Sequence, residues 1–165
     1  FVIRRVAQPD IGWYRGLFRA VGERWLWFSR LRMPDEQLRE ILHNDRVDIF
    51  ALSKDGIDRG LLELDRRQAF EIELAFFGVT PELIGTGAGR LLMGHAQREA
   101  WRHHPRRFHV HTCTLDHPGA VAFYTKWGFR PYRRAVEIAD DPRLTGECAA
   151  DAAPHQPLLQ PRAGK

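Results

Sequence analysis

Three glycines alternate with other residues just before a helical pattern, at Gly85, Gly87 and Gly89. A strand, a glycine-rich turn and a helix N-terminus together present a row of outward-pointing backbone N–H groups, and the helix dipole adds partial positive charge there. Because glycine has no Cβ, an anion can approach such a backbone closely. Pyrophosphate is the anion that this pattern suits best. A plain structural turn is the alternative interpretation, since a glycine-rich loop has little specificity by itself.

The spacing of the glycines does not fit two familiar phosphate-binding motifs. A dinucleotide fingerprint requires G-x-G-x-x-G, and its third glycine would fall at Arg90. A Walker loop requires G-K-[ST], whereas Gly89 is followed by Arg90 and Leu91. The sequence therefore does not predict a nucleotide-binding protein of either type.

Histidine and cysteine offer further chemical possibilities in the stretch after the predicted helix. His109 and His111 fall on the same face of a predicted strand, and two imidazoles can share a metal ion. No carboxylate or thiolate is clearly placed with them, so we favour a solvated or packed pair and predict no metal site. Cys113 could be a nucleophile, but a small buried residue is the better interpretation.

Composition indicates a soluble globular domain. The chain has 165 residues, enough for one domain with a core, of which 44% are hydrophobic and 28% charged. No apolar run is long enough to cross a membrane. The net charge of +4 suits contact with an anion but does not establish nucleic-acid binding. Two cysteines are too few for a disulfide framework, so we expect a reducing compartment and a cytoplasmic protein.

The hydrophobic pattern alternates between strands and helices along the chain. Strands are predicted at FVIRRVA, on both sides of the KDG turn in VDIFALSKDGIDRGLLELD, at AFEIELAFFGV, at RFHVHTCTL and at FRPYRRAVEI. Helices are predicted at DIGWYRGLFRAVG, at MPDEQLREIL, over residues 87–103 and at PGAVAFYTKW. The first helix is predicted to begin at Asp10, and Gly56 of the KDG turn can take positive φ.

The strand AFEIELAFFGV has a clear two-residue alternation. One face is predicted to hold Phe70, Ile72, Leu74 and Phe76, and the other Glu71, Glu73 and Ala75. Gly78 predicts a bulge at FFGV or a close approach of the backbone to another element.

Two linked motifs resemble those of the GNAT superfamily of N-acetyltransferases. That family has a Q/R-x-x-G-x-G/A loop at the start of a long helix, and an N-x-x-A-x-x-x-Y-x-x-x-G-F stretch in the next helix and strand. VTPELIGTGAGRLLMGHA matches the first motif with Ile84, Gly85, Thr86, Gly87, Ala88 and Gly89. AVAFYTKWGFRPY and the residue before it match the second motif with Ala120, Tyr124, Gly128 and Phe129. The resemblance extends over residues 1 to about 138 in element order.

Two positions depart from the motifs of the family. Ile84 occupies the place of Gln or Arg, which the loop should tolerate because it binds pyrophosphate mainly through backbone N–H groups. His117, preceded by Asp116, occupies the place of the asparagine, and this leaves the role of the LDHP segment open.

The resemblance implies an α+β fold, with a strongly twisted mixed sheet of six or seven strands and helices on both faces. It also implies an acyltransferase that moves an acetyl group from acetyl-CoA, as cosubstrate, to a primary amine. The fourth and fifth strands would splay apart to admit the pantetheine arm. The residues implied to bind the cofactor are Phe77, Gly78, Val79, Gly85, Thr86, Gly87, Ala88, Gly89 and Arg90.

The resemblance also implies a catalytic base and a catalytic acid. An alkyl amine with a pKa near ~10.4 is protonated at neutral pH, so a base must remove a proton before attack. Glu73 on the predicted fourth strand is the candidate, with Glu71 in reserve; both could instead be solvated residues of a polar face. Tyr124 occupies the position from which many family members protonate the departing CoA thiolate. Packing between helix and strand is its alternative role.

Residues 22–33, GERWLWFSRLRM, fall where the family lines its acceptor side. Trp25, Trp27 and Phe28 could form an aromatic wall, which suits an aromatic or cationic acceptor. Arg30 and Arg32 at its rim suit a carboxylate instead. The sequence does not choose between these acceptors, and core packing of the tryptophans is the alternative.

Residues 1–138 are predicted to form the GNAT-like domain, and residues 139–165 a Pro/Ala-rich tail that is loosely ordered or docked. The expected acceptor is a small-molecule or peptide amine; a membrane or nucleic acid is not expected as a partner, and a homodimer stays open. The alternative function is a non-catalytic CoA-binding or nucleic-acid-binding regulatory module, which the fold does not exclude. The presence of Glu73 and Tyr124 favours the enzyme.

Overall fold

The computed structural model describes residues 1–160, and the end of the predicted tail, residues 161–165, lies outside the described residues. The strands are β1 (Val2–Arg5), β2 (Val47–Lys54), β3 (Ile57–Asp65), β4 (Glu71–Val79) and β5 (Arg107–His109). The helices are α1 (Ile11–Gly22), α2 (Ser29–Arg32), α3 (Asp35–Leu42), α4 (Ala88–Trp101), α5 (Ala120–Lys126) and α6 (Pro142–Thr145). Among these helices, none combines the length and apolar character needed to span a membrane.

The strands form one mixed sheet in the order β1-β2-β3-β4-β5. Neighbours from β1 to β4 are antiparallel, and β4 and β5 are parallel. Apolar clusters lie on both faces, one with α1 and α3 and the other with α4 and α5. The α+β fold with helices on both faces of a mixed sheet is therefore confirmed.

The sheet has five strands within residues 1–160, so the prediction of six or seven is wrong for this range. The segment FRPYRRAVEI, predicted as the last strand, forms no strand, and Val136 and Ile138 in it are 91% and 94% exposed. Alternation produces a strand only where a neighbouring edge supplies hydrogen bonds, and β5 is three residues long. RFHVHTCTL is likewise shorter as a strand than predicted, because it leaves the sheet after His109.

Local sequence determines the first helix and the hairpin. The carboxylate of Asp10 accepts a hydrogen bond from the Trp13 backbone N–H at 2.9 Å, which confirms the predicted start of α1. Between β2 and β3, Asp55 and Gly56 have φ angles of 52° and 78°. Two central residues with positive φ are typical of a tight hairpin turn, as the KDG sequence predicted.

A β-bulge in β4 changes the face on which its residues lie. Glu63 of β3 is opposite Phe76, whereas the next residue, Leu64, is opposite Leu74, so Ala75 is the extra residue. The predicted bulge therefore exists, but it precedes FFGV. As a consequence, Phe76 packs in the cluster with α1 and α3, on the opposite face from Leu74.

The predicted alternation of AFEIELAFFGV is thus wrong at two positions. Phe76 changes face because of the bulge at Ala75. Phe70 lies before β4, is exposed, and has a φ of 64°, which takes it out of the strand conformation. Ile72 and Leu74 share one buried face, as predicted.

The C-terminal residues that the structure describes fold back onto the chain after α1. Arg32 pairs with Glu147 through Nε and Oε1 at 2.7 Å, and Arg19 Nη1 donates to the carbonyl of Glu147 at 2.7 Å. Cys148 and Ala153 form a small buried cluster with Leu26. Residues 141–160 therefore lie against the segment that follows α1.

Candidate active site

The edge of β4 is open towards its C-terminal end. β4 and β5 pair only through Glu71–Arg107, Ile72–Phe108 and Glu73–His109. Beyond Glu73, β4 continues along β3 as far as Val79, while the chain after His109 leaves the sheet. Within residues 1–160, residues 74–79 thus have an unpaired edge on the β5 side. Phe77, Gly78 and Val79, predicted to contact the cofactor, lie on this stretch.

The glycine loop ends in a helix start with free donors. Gly85 and Gly87 have φ angles of 82° and 91°, which L side chains rarely adopt. Gly87 precedes the first residue of α4, and its position supplies no side-chain cap. Within residues 1–160, the N–H groups of Gly87, Gly89 and Arg90 donate to no protein acceptor. The start of α4 therefore presents unpaired donors together with the positive end of the helix dipole.

The space in front of these donors is open. A Cβ built at Gly85, Gly87 or Gly89 would meet no atom within 4 Å. Thr86 holds the turn, because its Oγ1 donates to the Leu83 carbonyl at 2.8 Å. Arg90 beside the loop is exposed. The loop can therefore accept an anion without displacing a described residue.

Glu73 lies where β4 and β5 part. Its Oε1 is 2.9 Å from Nδ1 of His111, and this hydrogen bond lowers the pKa of the Glu73 carboxyl against the opposing effect of burial. The reserve candidate, Glu71, is held by Arg107 Nη2 at 2.6 Å from its Oε1, and that hydrogen bond lowers its pKa. Glu73 is thus an ionised carboxylate next to an imidazole, whereas the carboxylate of Glu71 is already paired with an arginine.

A polar pocket of about 320 Å³ adjoins these carboxylates. It is lined by Asp65, Arg67, Gln68, Glu71, Glu73 and His109. Asp65 is directly opposite Glu73 in the β3–β4 register. Arg67 Nη2 pairs with Oδ2 of Asp65 at 2.5 Å. The lining holds more carboxylates than guanidinium groups, so the pocket suits a cation such as a protonated amine.

Tyr124 on α5 lies along the open stretch of β4, on the side of the sheet that faces α4. Its ring centroid is 6.3 Å from that of Phe77 and 5.7 Å from that of Phe129. Burial raises the pKa of the Tyr124 hydroxyl above its ordinary value, so the hydroxyl keeps its proton at neutral pH. Gln97 of α4 donates to the Trp127 carbonyl at 2.7 Å and holds the end of α5 in place.

Residues 25–139 match a family model described as "Acetyltransferase (GNAT) domain". The chain belongs to the GNAT acetyltransferase family. A comparison with curated proteins gave no match.

Solved structures share the fold of this GNAT chain. Aminoglycoside acetyltransferase meta-AAC0020 from an uncultured soil metagenomic sample, in complex with trehalose, has a TM-score of 0.65 at 18% identity, covering 84% of this chain and 94% of that chain. AAC(6')-Iy, in complex with the bisubstrate analogue CoA-S-monomethyl-acetylneamine, has a TM-score of 0.64 at 20% identity, covering 84% of this chain and 97% of that chain. The IAA acetyltransferase from Bacillus cereus ATCC 14579 has a TM-score of 0.60 at 22% identity, covering 80% of this chain and 78% of that chain.

The aromatic residues predicted to line the acceptor side of the GNAT domain contact three different sets of partners. The ring of Trp27 packs closely over Gly22 and lies 5.4 Å from the Phe76 ring, as in the core-packing alternative. Trp25 lies with its ring 5.2 Å from that of His117. Phe28 has its ring centroid 4.4 Å from the guanidinium of Arg32, which also pairs with Glu147.

Arg30 is buried and does not lie at a rim. Its guanidinium donates to Glu63, which also accepts a hydrogen bond from the hydroxyl of Tyr14. The same guanidinium lies 5.0 Å from the Phe76 ring centroid. Because Arg30 pairs with Glu63 and Arg32 with Glu147, neither guanidinium is left as the carboxylate site that the sequence suggested.

The remaining chemistry-bearing residues differ from their sequence interpretation. Cys113 is exposed, so the prediction of a small buried residue is wrong; it lies after β5, outside the sheet. His109 and His111 do lie near carboxylates, since His109 Nε2 is 3.7 Å from Glu71 and His111 is bonded to Glu73. The described residues contain no group of three or more ligands that could hold a metal ion.

The pairing of Glu73 with His111 is a contact of the candidate site that the sequence did not predict. The two residues are 38 positions apart. A signal existed in the E-x-E pattern of β4 and the H-x-H pattern of RFHVHTCTL, because parallel neighbouring strands place such alternating residues on one face. Asp116 organises the segment that follows, since its Oδ2 accepts from Thr112 Oγ1 at 2.7 Å.

Proposed function

We propose that this chain is an acetyl-CoA-dependent N-acetyltransferase that acetylates a primary amine by direct attack. One observation carries the proposal: the free N–H donors at the start of α4 follow the unpaired edge of β4, with Glu73 just before that edge and Tyr124 packed beside it. The family membership of residues 25–139 supports the same activity.

The residues of the loop and the open edge fit CoA. We infer that the backbone from Gly85 to Arg90 binds the pyrophosphate, since its donors are unpaired and the space before its glycines is open. The edge of Phe77, Gly78 and Val79 would hydrogen-bond to the pantetheine arm. When bound, acetyl-CoA supplies the acetyl thioester. The CoA analogue in the AAC(6')-Iy complex supports this use of the fold.

Glu73 and Tyr124 divide the proton transfers. A primary amine with a pKa of ~10.4 is protonated at neutral pH, and supplying its neutral form costs about 4–5 kcal/mol. The ionised carboxylate of Glu73 provides the base, directly or through one bridging group. The hydroxyl of Tyr124 holds its proton at neutral pH and gives it to the departing sulfur. The two residues face opposite sides of β4, because Glu73 alternates with Ile72 and Leu74, which share the cluster of Tyr124.

We infer that the acceptor is a cationic amine that enters from the pocket beside Glu73. Three carboxylates line that pocket, those of Asp65, Glu71 and Glu73, and two of them pair with Arg67 and Arg107, so the remaining negative charge attracts an ammonium group. Several structural neighbours are named as aminoglycoside acetyltransferases, which supports an acceptor carrying more than one amine.

The experiment is release of CoA thiol from acetyl-CoA across a panel of amines, polyamines, aminoglycosides, amino acids and peptides. We expect thiol release with cationic amines and none without an acceptor. In parallel, CoA should raise the free energy of unfolding by about 2.7 kcal/mol at a hundredfold excess over Kd. Stabilisation by CoA with no thiol release on any amine would favour a non-catalytic CoA-binding module. Stabilisation by NADH or ATP and not by CoA would refute the proposal altogether.

A further inference from the structure

Glu73 and His111 form a carboxylate–imidazole pair at the point where the sheet opens. Nδ1 of His111 lies 2.9 Å from Oε1 of Glu73. The side chain of His111 is 76% exposed, whereas that of Glu73 is 31% exposed. Within residues 1–160, Nε2 of His111 forms no hydrogen bond. The imidazole is therefore the partner that an incoming molecule can reach more easily, and it offers a nitrogen that no described residue uses.

The hydrogen bond determines which imidazole nitrogen can accept a proton. A carboxylate at Nδ1 favours the tautomer with its proton on Nδ1, and this leaves the lone pair on Nε2. Once Nε2 has accepted a proton, the adjacent carboxylate stabilises the positive ring, as in other carboxylate–histidine pairs. The pair can thus take a proton at the exposed end while the carboxylate remains ionised.

We propose that His111 is the catalytic base of this enzyme through Nε2, and that Glu73 is the residue that positions it. The inference rests on the proposed function and names the bridging group between the amine and Glu73. The N–H bond of the ammonium breaks and an Nε2–H bond forms, so the electron pair stays on the amine nitrogen. That pair then bonds to the acetyl carbon, the carbon–sulfur bond breaks, and the sulfur takes the proton of Tyr124. The second proton leaves the nitrogen as the amide forms and, through solvent, restores the hydroxyl of Tyr124. His111 returns its proton to water.

The charges around the pair are consistent with this assignment. The hydrogen bond with Glu73 raises the pKa of His111, and the negative charges of Asp116 and Glu137 act in the same direction. The pKa of Glu73 is lowered mainly by the hydrogen bond with His111. His109 also lowers it, to a smaller extent, and the negative charge of Asp65 raises it. A base whose pKa is closer to that of the amine takes the proton more readily, which favours the imidazole over the carboxylate.

The assignment predicts a specific pH dependence. His111 must be neutral to accept a proton, and its pKa is raised in the folded protein, so kcat/KM should rise with pH through a value above about 6.5. If Glu73 accepted the proton directly, its lowered pKa would place the rise of kcat/KM below the ordinary carboxyl pKa of 4.5 instead.

The experiment compares kcat/KM against pH for the wild type, His111→Gln, Glu73→Gln and the control His103→Gln, which changes an exposed histidine after α4. We expect His111→Gln to lower kcat by about 10²–10⁴ at neutral pH. The rise of kcat/KM with pH above about 6.5 should be absent in this variant. Added imidazole should restore part of its rate. Glu73→Gln should keep an acidic limb but move it to lower pH, and His103→Gln should behave as the wild type. The CoA-induced rise in melting temperature should persist in every variant.

Three results would overturn the assignment. His111→Gln with kcat and acidic limb within about twofold of the wild type would exclude the imidazole as the base. A greater loss in Glu73→Gln than in His111→Gln, with the limb of His111→Gln unchanged, would return the role to Glu73. In both cases the active wild type leaves the proposed function in place. A wild type that binds CoA but acetylates no amine would instead refute the proposed function, and this inference with it.

Discussion

The ring of Tyr124 packs against the rings of Phe77, Phe123 and Phe129, so the hydroxyl can be removed while the packing of the ring is kept. Tyr124→Phe keeps the ring and its packing but deletes the hydroxyl that we propose as the proton donor. We expect kcat to fall by about 10²–10⁴, with little change in CoA affinity or melting temperature. Steady-state kinetics under conditions where chemistry limits the rate measure the effect.

The matched control for that change is Tyr132→Phe. Tyr132 is exposed, and its ring lies 4.9 Å from the guanidinium of Arg107, away from the open stretch of β4. We expect Tyr132→Phe to leave kcat unaltered. If Tyr124→Phe were equally neutral, Tyr124 would be a packing residue and a different group would have to protonate the sulfur.

Gly89 allows cofactor binding to be separated from backbone strain. Unlike Gly85 and Gly87, it does not have a positive φ, and a Cβ there would meet no protein atom within 4 Å. Gly89→Gln should therefore stabilise the free protein by about 0.5 kcal/mol, because glycine has a lower helix propensity than glutamine. The loop motif admits alanine at this position, but the longer side chain of glutamine would occupy the space in front of the free N–H donors. We expect the CoA-induced rise in melting temperature to be lost or strongly reduced.

Gly16→Gln in α1 is the control, because a Cβ at Gly16 also meets no atom within 4 Å. It should give the same stabilisation and leave the response to CoA unchanged. A full CoA response in Gly89→Gln would show that the pyrophosphate lies elsewhere.

The packing of α1 against β4 depends on a glycine in the strand. A Cβ at Gly78 would lie 2.6 Å from Cγ1 of Val21, which explains why this position has no side chain. We expect Gly78→Ala to lower the free energy of unfolding by about 1–3 kcal/mol through overpacking. Denaturant unfolding measures the loss.

A second substitution tests the cause of that loss. Val21→Ala removes the atom that the new Cβ would meet, so Gly78→Ala should destabilise the Val21→Ala background less than it destabilises the wild type. Strictly additive effects would mean that the strand conformation at Gly78, and not its contact with α1, is responsible.

Elements set by neighbouring residues could be predicted from the sequence, whereas those set by distant pairing could not. Asp10 begins α1 and the Asp55–Gly56 turn closes the hairpin through contacts within a few residues, and both predictions are confirmed. The bulge at Ala75 depends on how β3 pairs with β4, which the β4 sequence does not contain. The alternation of residues 130–138 has no strand beside it, so its pattern predicted a strand that does not form.

The same distinction holds for the candidate site. The glycine loop could be found in the sequence because its proposed function depends on consecutive backbone groups. The contact of Glu73 with His111 needs the parallel register of β4 and β5, and the burial of Arg30 needs Glu63 of β3 and Tyr14 of α1. Such contacts join distant parts of the chain, and hydrophobic periodicity does not predict them.

The C-terminal residues contact the segment that the sequence predicted to line the acceptor side. Residues 141–160 lie over the segment after α1, where Trp25 has its ring 5.6 Å from that of His155 and 5.2 Å from that of His117. Arg143 stabilises this segment internally, because its guanidinium donates to the Gln156 carbonyl at 3.0 Å. The segment predicted to line the acceptor side is therefore supported from the C-terminal end of the chain.

This docking should depend on pH through Glu147. Hydrogen bonds from Arg32 and then Thr145 lower the pKa of Glu147 from 4.5 to about 2. A carboxyl whose pKa is lower in the folded than in the unfolded state contributes stability that is fully present above the unfolded pKa and is lost as the pH falls through the folded value. Glu147→Gln removes that contribution. We therefore expect the melting temperature of the wild type to exceed that of Glu147→Gln above pH about 5, and the difference to disappear towards pH 2.

The control is Glu40→Gln, on the exposed side of α3, whose melting temperature should follow the wild type at every pH. A difference between wild type and Glu147→Gln that stays constant from pH 3 to pH 7 would show that residues 141–160 dock without the charge of this carboxylate.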